Sequence, residues 1–208
     1  MGIEDFTSTE ARLAAACDRL CGEFEGIYDR KTIEQLLDRS AQEFSGRGVE
    51  SFVAILAERF ARERLRAQAQ TEGRLAKAGL QVVFVSLTGG GRAQIGAALL
   101  ARATGDAVVV HSAGSDATAE IDPNVKAAME EVGIDLSDEF TRPLTPEVLG
   151  NADMVVTMGR SVGAFAIPEH VRHVDWRVGD PAGASLDEVR RVREDIERRV
   201  DALASALQ

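Results

Sequence analysis

The pattern of hydrophobic positions divides the chain into two parts. Residues 1–78 place apolar side chains three and four positions apart, which is typical of amphipathic helices. From Leu80 onward, apolar runs of strand length alternate with helical segments. This alternation is typical of a doubly wound parallel sheet. We therefore predict a small three-helix domain over residues 1–78 and an α/β domain over residues 79–208.

Three short helices are predicted in the first part. A capping box of Thr7 and Glu10 precedes the first helix, which reaches about Glu23. Asp29 caps the second, and the third runs from about Val49. Its later section, residues 59–66, is heavily charged and is predicted to be solvated. The predicted inward positions are Leu13, Ala16, Cys17 and Leu20, then Ile33, Leu36, Leu37 and Ser40, then Phe52, Val53, Ile55, Leu56 and Phe60.

Helices this short bury little apolar surface by themselves, so they need a partner. That partner is either the second domain or another copy of the chain. We predict a homodimer formed by these helices, with Phe52, Leu56 and Phe60 at the contact.

Four strands are predicted in the second part, and together they would form a four-stranded parallel sheet. The strands are residues 80–86, 106–114, 153–158 and 173–176. The predicted helices between and after them cover residues 93–103, a segment from Asp122 to Gly133, a short stretch from Pro146, and residues 186–206 after a capping box of Ser185 and Glu188.

Composition and charge exclude some classes of partner. Hydrophobic residues make up 45% of the chain and charged residues 28%, which is ordinary for a globular protein. No run of eighteen apolar residues is present, and residues 1–10 do not resemble a secretory signal. We expect a cytoplasmic protein without a membrane partner. The net charge of −10 disfavours nucleic acid.

Candidate metal ligands are few. Cys17 and Cys21 lie one helical turn apart and are interpreted as small hydrophobic residues. Two thiolates do not complete a zinc site, although a symmetric dimer would supply four. The spacing of His170, His173 and Asp175 fits no strong motif. We therefore predict no metal and no cofactor.

The loop after the first strand carries the candidate chemistry. It begins at Ser86 and ends at Arg92, at the carboxyl edge of the sheet where ligands of such folds bind. Successive backbone N–H groups and a helix N-terminus suit an anion, and arginine can hold an oxyanion through two donors. An ordinary glycine-rich turn is the alternative. The predicted anion-binding residues are Leu87, Thr88, Gly89, Gly90, Gly91 and Arg92.

Several ordered motifs resemble the low-molecular-weight tyrosine phosphatase and thiol-dependent arsenate reductase family. Its loop consists of cysteine, five residues and arginine, a frame on which Ser86 and Arg92 fall. The later segments that match are HSAG at 111–114, EEVGIDLS at 130–137, ADMVVTMG at 152–159, DPAG at 180–183 and the closing SLDEVRRVREDIERRV. The resemblance implies the α/β fold of that family over about 130 residues. Residues 1–78 resemble the three-helix extension of some actinobacterial members, which is associated with dimerisation.

The resemblance also assigns roles and shows departures from them. Ser86 occupies the nucleophile position in place of cysteine, and Asp180 occupies the general-acid position. Gly89 replaces the asparagine of the loop, and Ala93 replaces a serine that hydrogen-bonds the thiolate. No cysteine lies in residues 159–168, where Arg160 and Ala164 take the places of the reductases' further cysteines.

Three functions remain open. The first is a catalytically degenerate member that binds phosphate, arsenate or a phosphorylated partner in the Ser86–Arg92 loop. The second is a working phosphatase or arsenate reductase in which serine has replaced the active-site cysteine. The third is a structural, dimerising protein without a ligand. Because several catalytic positions depart together while Arg92, the glycines and Asp180 remain, the sequence favours the first.

Overall fold

The computed structural model describes residues 8–46, 52–115, 117, 120–159 and 166–207. The chain divides into two compact units, Met1–Leu75 and Ala76–Gln208. In the described part of the chain, no helix is both long enough and apolar enough to cross a membrane.

The first unit contains the three predicted helices. They are α1, Thr9–Glu23, α2, Arg30–Phe44, and α3, Val53–Thr71. Ser8 caps α1 by accepting a hydrogen bond from the Ala11 amide at 3.2 Å. The predicted cap, Thr7, lies outside the described residues. Asp29 caps α2 as predicted, with its carboxylate 2.8 Å from the Thr32 amide. The predicted start of α3 near Val49 also lies outside the described residues.

Most predicted inward positions of these helices are buried. Leu13 and Leu56 are half-buried, and the two exceptions are Phe52 and Ile55, which are 57% and 54% exposed and were predicted to face inward. The buried face of α3 contains Val53, Ala57 and Phe60, and the two exceptions lie off that face. Phe60 is completely buried within its own chain. It therefore cannot line a contact between copies, which corrects the sequence prediction for this residue.

The charged section of α3 is not fully solvated, contrary to the prediction. Arg64 and Leu65 are 7% and 0% exposed, because the buried face of the helix continues through this section. The Arg64 guanidinium lies over the Phe60 ring, 5.5 Å from its centroid. It also donates to Ser40 Oγ at 3.3 Å. The cation is thus buried against an aromatic ring and a hydroxyl.

The second unit has the predicted α/β fold. Its strands are all parallel, in the order β2-β1-β3-β4, with helices on both sides of the sheet. The elements are β1 (Leu80–Ser86), α4 (Arg92–Thr104), β2 (Val108–Gly114), α5 (Pro123–Glu130), α6 (Pro146–Asn151), β3 (Met154–Met158), β4 (Arg172–Trp176) and α7 (Leu186–Leu207). A 3-10 turn, Gly105–Ala107, takes the first positions of the predicted second strand.

Packing around Phe84 fixes the start of α4 relative to the central strand β1. A Cβ atom at Gly96 would lie 2.7 Å from the Phe84 ring and 2.8 Å from the Met158 methyl group. The absence of a side chain therefore lets α4 lie directly on the sheet. Phe84 also packs edge-on against Trp176, with 5.7 Å between ring centroids. These contacts hold both ends of the loop that joins β1 to α4.

Candidate oxyanion site

The loop between β1 and α4 forms one wall of a cavity of about 290 Å³. Ser86 ends β1 and is 2% exposed, while Arg92 begins α4 and is 8% exposed. Asp180 reaches the same cavity from the segment that precedes α7. The structure thus brings together residues that the sequence motifs only suggested. The lining residues are Ser86, Thr88, Gly90, Gly91, Arg92, Glu120, Ile121, Asp122, Pro123, Asp180 and Ala182.

The loop packs backbone to backbone against the end of β2. The Ser86 carbonyl accepts a hydrogen bond from the Ser115 amide at 3.0 Å. Gly89 has a φ of 74°, and a Cβ atom there would lie 2.8 Å from the Gly114 nitrogen. Both its dihedral angle and its surroundings therefore require glycine.

Several loop amides have no hydrogen-bond partner among the described residues. The Gly89 amide donates to Ser86 Oγ at 3.3 Å. The other amides between Ser86 and Arg92, those of Leu87, Thr88, Gly90 and Gly91, have no partner in that part of the chain. The first turn of α4 adds the donors that any helix N-terminus leaves unpaired. Such a group of donors suits an oxyanion.

Arg92 is held between a backbone and a carboxylate. Its Nη2 donates to Asp180 Oδ2 at 3.0 Å. On another side, a Cβ atom at Gly159 would lie 2.7 Å from Arg92 Nη1, and Gly159 has a φ of 99°. The guanidinium thus occupies space that only glycine leaves free. Asp180 is itself oriented by the Ala182 amide, which donates to its Oδ1 at 3.2 Å.

The remaining charges at the cavity are acidic. Among the described residues that line it, Arg92 is the one basic side chain, against Glu120, Asp122 and Asp180. Asp122 caps α5, with its Oδ1 2.8 Å from the Asn124 amide, and its Oδ2 accepts from the Gly183 amide at 3.3 Å. An oxyanion would therefore be held by the loop amides and Arg92, against the repulsion of the negatively charged rim.

Two features of the site were missed by the sequence analysis. Gly159 was noted only within a family segment, and nothing in the pattern showed that Arg92 would lie against it. The second is a buried polar network behind the loop. Ser112 Oγ donates to Gln94 Oε1 at 2.6 Å, and Gln94 Nε2 donates to Glu139 at 3.3 Å. A glutamine on the apolar face of a helix was the available signal, and the network ties the first turn of α4 to β2.

The candidate metal ligands are engaged with other groups. Thr157 Oγ1 lies 2.9 Å from His173 Nε2 and donates to Asp175 at 3.0 Å. His170 Nε2 lies 3.2 Å from the Gly150 carbonyl. Among the described residues, His, Cys, Asp and Glu side chains form no group of three suited to a metal ion.

The two cysteines belong to the first unit, whereas the cavity belongs to the second. Their sulfur atoms are 3.9 Å apart. Burial raises the pKa of the Cys17 thiol to about 11, so this group is protonated at neutral pH. Arg160 and Ala164, the positions of the reductases' further cysteines, lie outside the described residues.

Comparison with known proteins identifies the family. Residues 81–208 match the family described as low molecular weight phosphotyrosine protein phosphatase. Residues 13–69 match the protein-tyrosine-phosphatase-like N-terminal domain. The chain therefore belongs to the low molecular weight phosphotyrosine protein phosphatase family and carries the N-terminal extension found in part of it.

Relatives named as arsenate reductases are prominent among the similar proteins. An arsenate reductase of Brevibacillus brevis is 36% identical over 115 residues, which cover 54% of this chain and 85% of the relative. The structure of a thioredoxin-dependent arsenate reductase of Corynebacterium glutamicum is 31% identical, with a TM-score of 0.85 over 94% of this chain and 96% of that chain.

A third comparison concerns the nucleophile position. It is a variant of the YwlE arginine phosphatase, in which the active-site cysteine is replaced by a serine that is phosphorylated. It is 26% identical, with a TM-score of 0.56 over 62% of this chain and 95% of that chain.

We predict that Gly159→Ala will weaken phosphate binding, because the new methyl group displaces the Arg92 guanidinium. The expected loss is about 1.5–3 kcal/mol, as for a lost hydrogen bond to a charged group. Titration calorimetry measures it. Gly150→Ala is the control, since no atom lies within 4 Å of the Cβ position there. Equal phosphate affinity in the two variants would contradict the assigned role of Gly159.

Proposed function

We propose that this protein binds an oxyanion in the Ser86–Arg92 loop and does not turn it over catalytically. The oxyanion is phosphate, arsenate or the phosphoryl group of a phosphorylated partner. The observation that carries the proposal is that four loop amides beside the buried Arg92 have no hydrogen-bond partner among the described residues. A cationic donor and several N–H groups around one cavity select for a small tetrahedral anion.

The relatives support the same ligand class. Proteins named arsenate reductases and phosphotyrosine phosphatases act on arsenate and phosphate esters, which are tetrahedral oxyanions of similar size. The phosphorylated serine of the arginine phosphatase variant supports the compatibility of a serine at this position with a phosphoryl group in the loop. Among the described residues, the acidic rim and Arg92 are consistent with local recognition of the anion by the loop.

Absence of turnover follows from the chemistry of Ser86. Family catalysis uses a thiolate, which is both a good nucleophile and a tolerable leaving group. Without a base, a serine hydroxyl attacks far more slowly than a thiolate, and among the described residues the hydrogen bond to Ser86 Oγ comes from the Gly89 amide, not from histidine or a carboxylate. Arsenate reduction additionally requires electrons from thiols. Cys17 and Cys21 belong to the other unit, and Cys17 is protonated at neutral pH.

The alternatives differ from this proposal in identifiable ways. If serine has replaced a natural cysteine, the other departures from the family pattern, Ala93 and the absence of cysteine from residues 159–168, have no explanation. If the protein is only structural, the retention of Arg92 and Asp180 around an open cavity has no explanation. The sequence of the natural gene at codon 86 distinguishes the first alternative, and anion binding distinguishes the second.

We predict that phosphate and arsenate bind the wild-type protein and that Arg92→Ala weakens this binding. The loss of a charged donor is expected to cost about 1.5–3 kcal/mol. Calorimetric titration of both proteins with phosphate, arsenate and sulfate provides the measurement. Equal affinities, or no binding by the wild type at concentrations of tens of millimolar, would refute the proposed function.

We predict no appreciable phosphatase or arsenate reductase turnover by the wild type. Acid assistance from Asp180 alone supplies only about 10²–10⁴-fold acceleration. Ser86→Cys should gain slow hydrolysis of para-nitrophenyl phosphate but no arsenate reduction, and adding Ala93→Ser should raise the hydrolysis rate. The assays are nitrophenolate release and thiol-coupled arsenate reduction. Wild-type turnover above about 1 s⁻¹, the low end of typical enzymes, would contradict this assignment of Ser86.

We further propose a homodimer formed by the first unit. Phe52 and Ile55 are large, exposed apolar side chains. Ile55 borders a hollow whose other lining residues include cations and an anion, Arg12, Arg19 and Glu58. A surface with an apolar centre and both charge signs suits a symmetric, self-complementary contact.

We predict that light scattering will find a dimer for the full-length chain and a monomer for Phe52→Asp. Leu80→Asp is the control, because it removes an exposed apolar side chain from the second unit. A truncated chain beginning near Ala78 should also be monomeric. A monomeric wild type, or a truncated chain that remains dimeric, would contradict the proposal.

A further inference from the structure

We infer that the protein phosphorylates its own Ser86. Its hydroxyl accepts the phosphoryl group of a phosphate monoester bound in the loop and retains it as phosphoserine. The inference rests on the proposed oxyanion binding, but it adds a single covalent step and a modified residue.

Ser86 is better placed to accept a phosphoryl group than Thr88, whose hydroxyl also belongs to the described lining of the cavity. Ser86 ends the central strand and is 2% exposed, so its hydroxyl lies at the base of the cavity that it lines. Thr88 also lines the cavity, but it belongs to the loop and is partly exposed. Backbone donors that hold a phosphoryl group in the loop bring its phosphorus atom close to the residue at the base.

The surroundings of Ser86 Oγ support attack on phosphorus. The Gly89 amide donates to this oxygen at 3.3 Å, which stabilises negative charge that develops on it. This hydrogen bond uses one lone pair of Ser86 Oγ. The second lone pair remains available to attack phosphorus, and the hydroxyl proton remains available for transfer. Arg92, 8% exposed, and the loop amides supply positive potential for the equatorial oxygens of the transferred group.

The step balances without an added reactant. A bond forms between Ser86 Oγ and phosphorus, and the bond between phosphorus and the leaving oxygen breaks. The serine proton moves to a phosphoryl oxygen and then to solvent. The leaving oxygen takes a proton from Asp180 or departs as a stable phenolate. The products are phosphoserine and the free alcohol, with no oxidation or reduction.

The phosphoserine persists because its hydrolysis would expel an alkoxide. The family intermediate would be a thiophosphate, from which a thiolate leaves readily. Hydrolysis of alkyl phosphate monoesters is among the slowest uncatalysed reactions known. The protein therefore performs the first half of a phosphatase cycle once and then stops.

The modification would also end anion binding at the same site. Phosphoserine at residue 86 carries about −1.5 to −2 charge and three acceptor oxygens, which would take the loop amides and Arg92 for themselves. An external phosphate then has neither donors nor space in the loop. Phosphorylation of Ser86 converts a binding protein into one with an occupied site.

The test begins with calorimetry, which establishes phosphate binding by the untreated full-length protein. The protein is then incubated with para-nitrophenyl phosphate and analysed by intact mass and peptide mapping. We expect a gain of about 80 Da, one phosphoryl group, on Ser86. Nitrophenolate release should stop at about one equivalent per chain, because the product is retained. The modified protein should no longer bind phosphate.

Two variants accompany the wild type. Ser86→Ala should gain no mass, whereas Ser137→Ala, which removes an exposed serine outside the cavity lining, should bind phosphate and be labelled like the wild type. A wild type that binds phosphate and stays unlabelled overturns this inference and leaves the proposed function intact. Labelling on Thr88, or of Ser86→Ala, also overturns it, as does continuing nitrophenolate release. A wild type that binds no phosphate refutes the proposed function itself.

Discussion

The buried guanidinium of Arg92 is the feature on which the candidate site depends. Removing a cation from water is costly unless the protein supplies partners. Here one partner is the carboxylate of Asp180, at 3.0 Å, but the Asp180 side chain is 57% exposed and offers only weak compensation. A tetrahedral anion beside the loop amides would complete the environment of the guanidinium. The same ion pair links the general-acid position to the anion-binding loop.

The geometry of the loop follows from how closely the sheet and α4 approach it. Gly89 lies against the end of β2, and Gly159 lies against Arg92 itself. Gly96 lets α4 rest on the sheet, so that the helix begins directly behind the loop. The site is therefore formed by close backbone approaches at three glycines.

Replacement of a thiol by a hydroxyl separates two properties that the family normally combines. Binding of an oxyanion requires donors and positive charge, both of which this loop retains. Turnover requires a group that attacks phosphorus and then leaves, which a serine does poorly. Under the proposed function, this chain keeps the first property and loses the second.

Sequence patterns predicted the helices, the strands and the family fold, because each depends on local periodicity, capping residues and ordered motifs. Sequence patterns failed to predict burial where it depends on which other helix packs against a given face. Phe52 and Ile55 are apolar yet exposed, and Arg64 is charged yet buried, since only the packed helices determine which side of α3 faces the core. The identities of Ser86, Arg92 and Asp180 as a common site came from family motifs, not from spacing.

By itself, the sequence determined which groups are available: a hydroxyl in place of a thiol, one arginine at the end of a glycine-rich loop, and an aspartate far along the chain. Only the tertiary structure decided that Arg92 contacts Asp180 and lies against Gly159, and that Ser112 and Gln94 join behind the loop. These contacts join segments distant in the sequence. They arise because the strands are parallel, which brings the carboxyl ends of β1, β2 and β3 to one edge, and because β2 and β3 both lie next to β1.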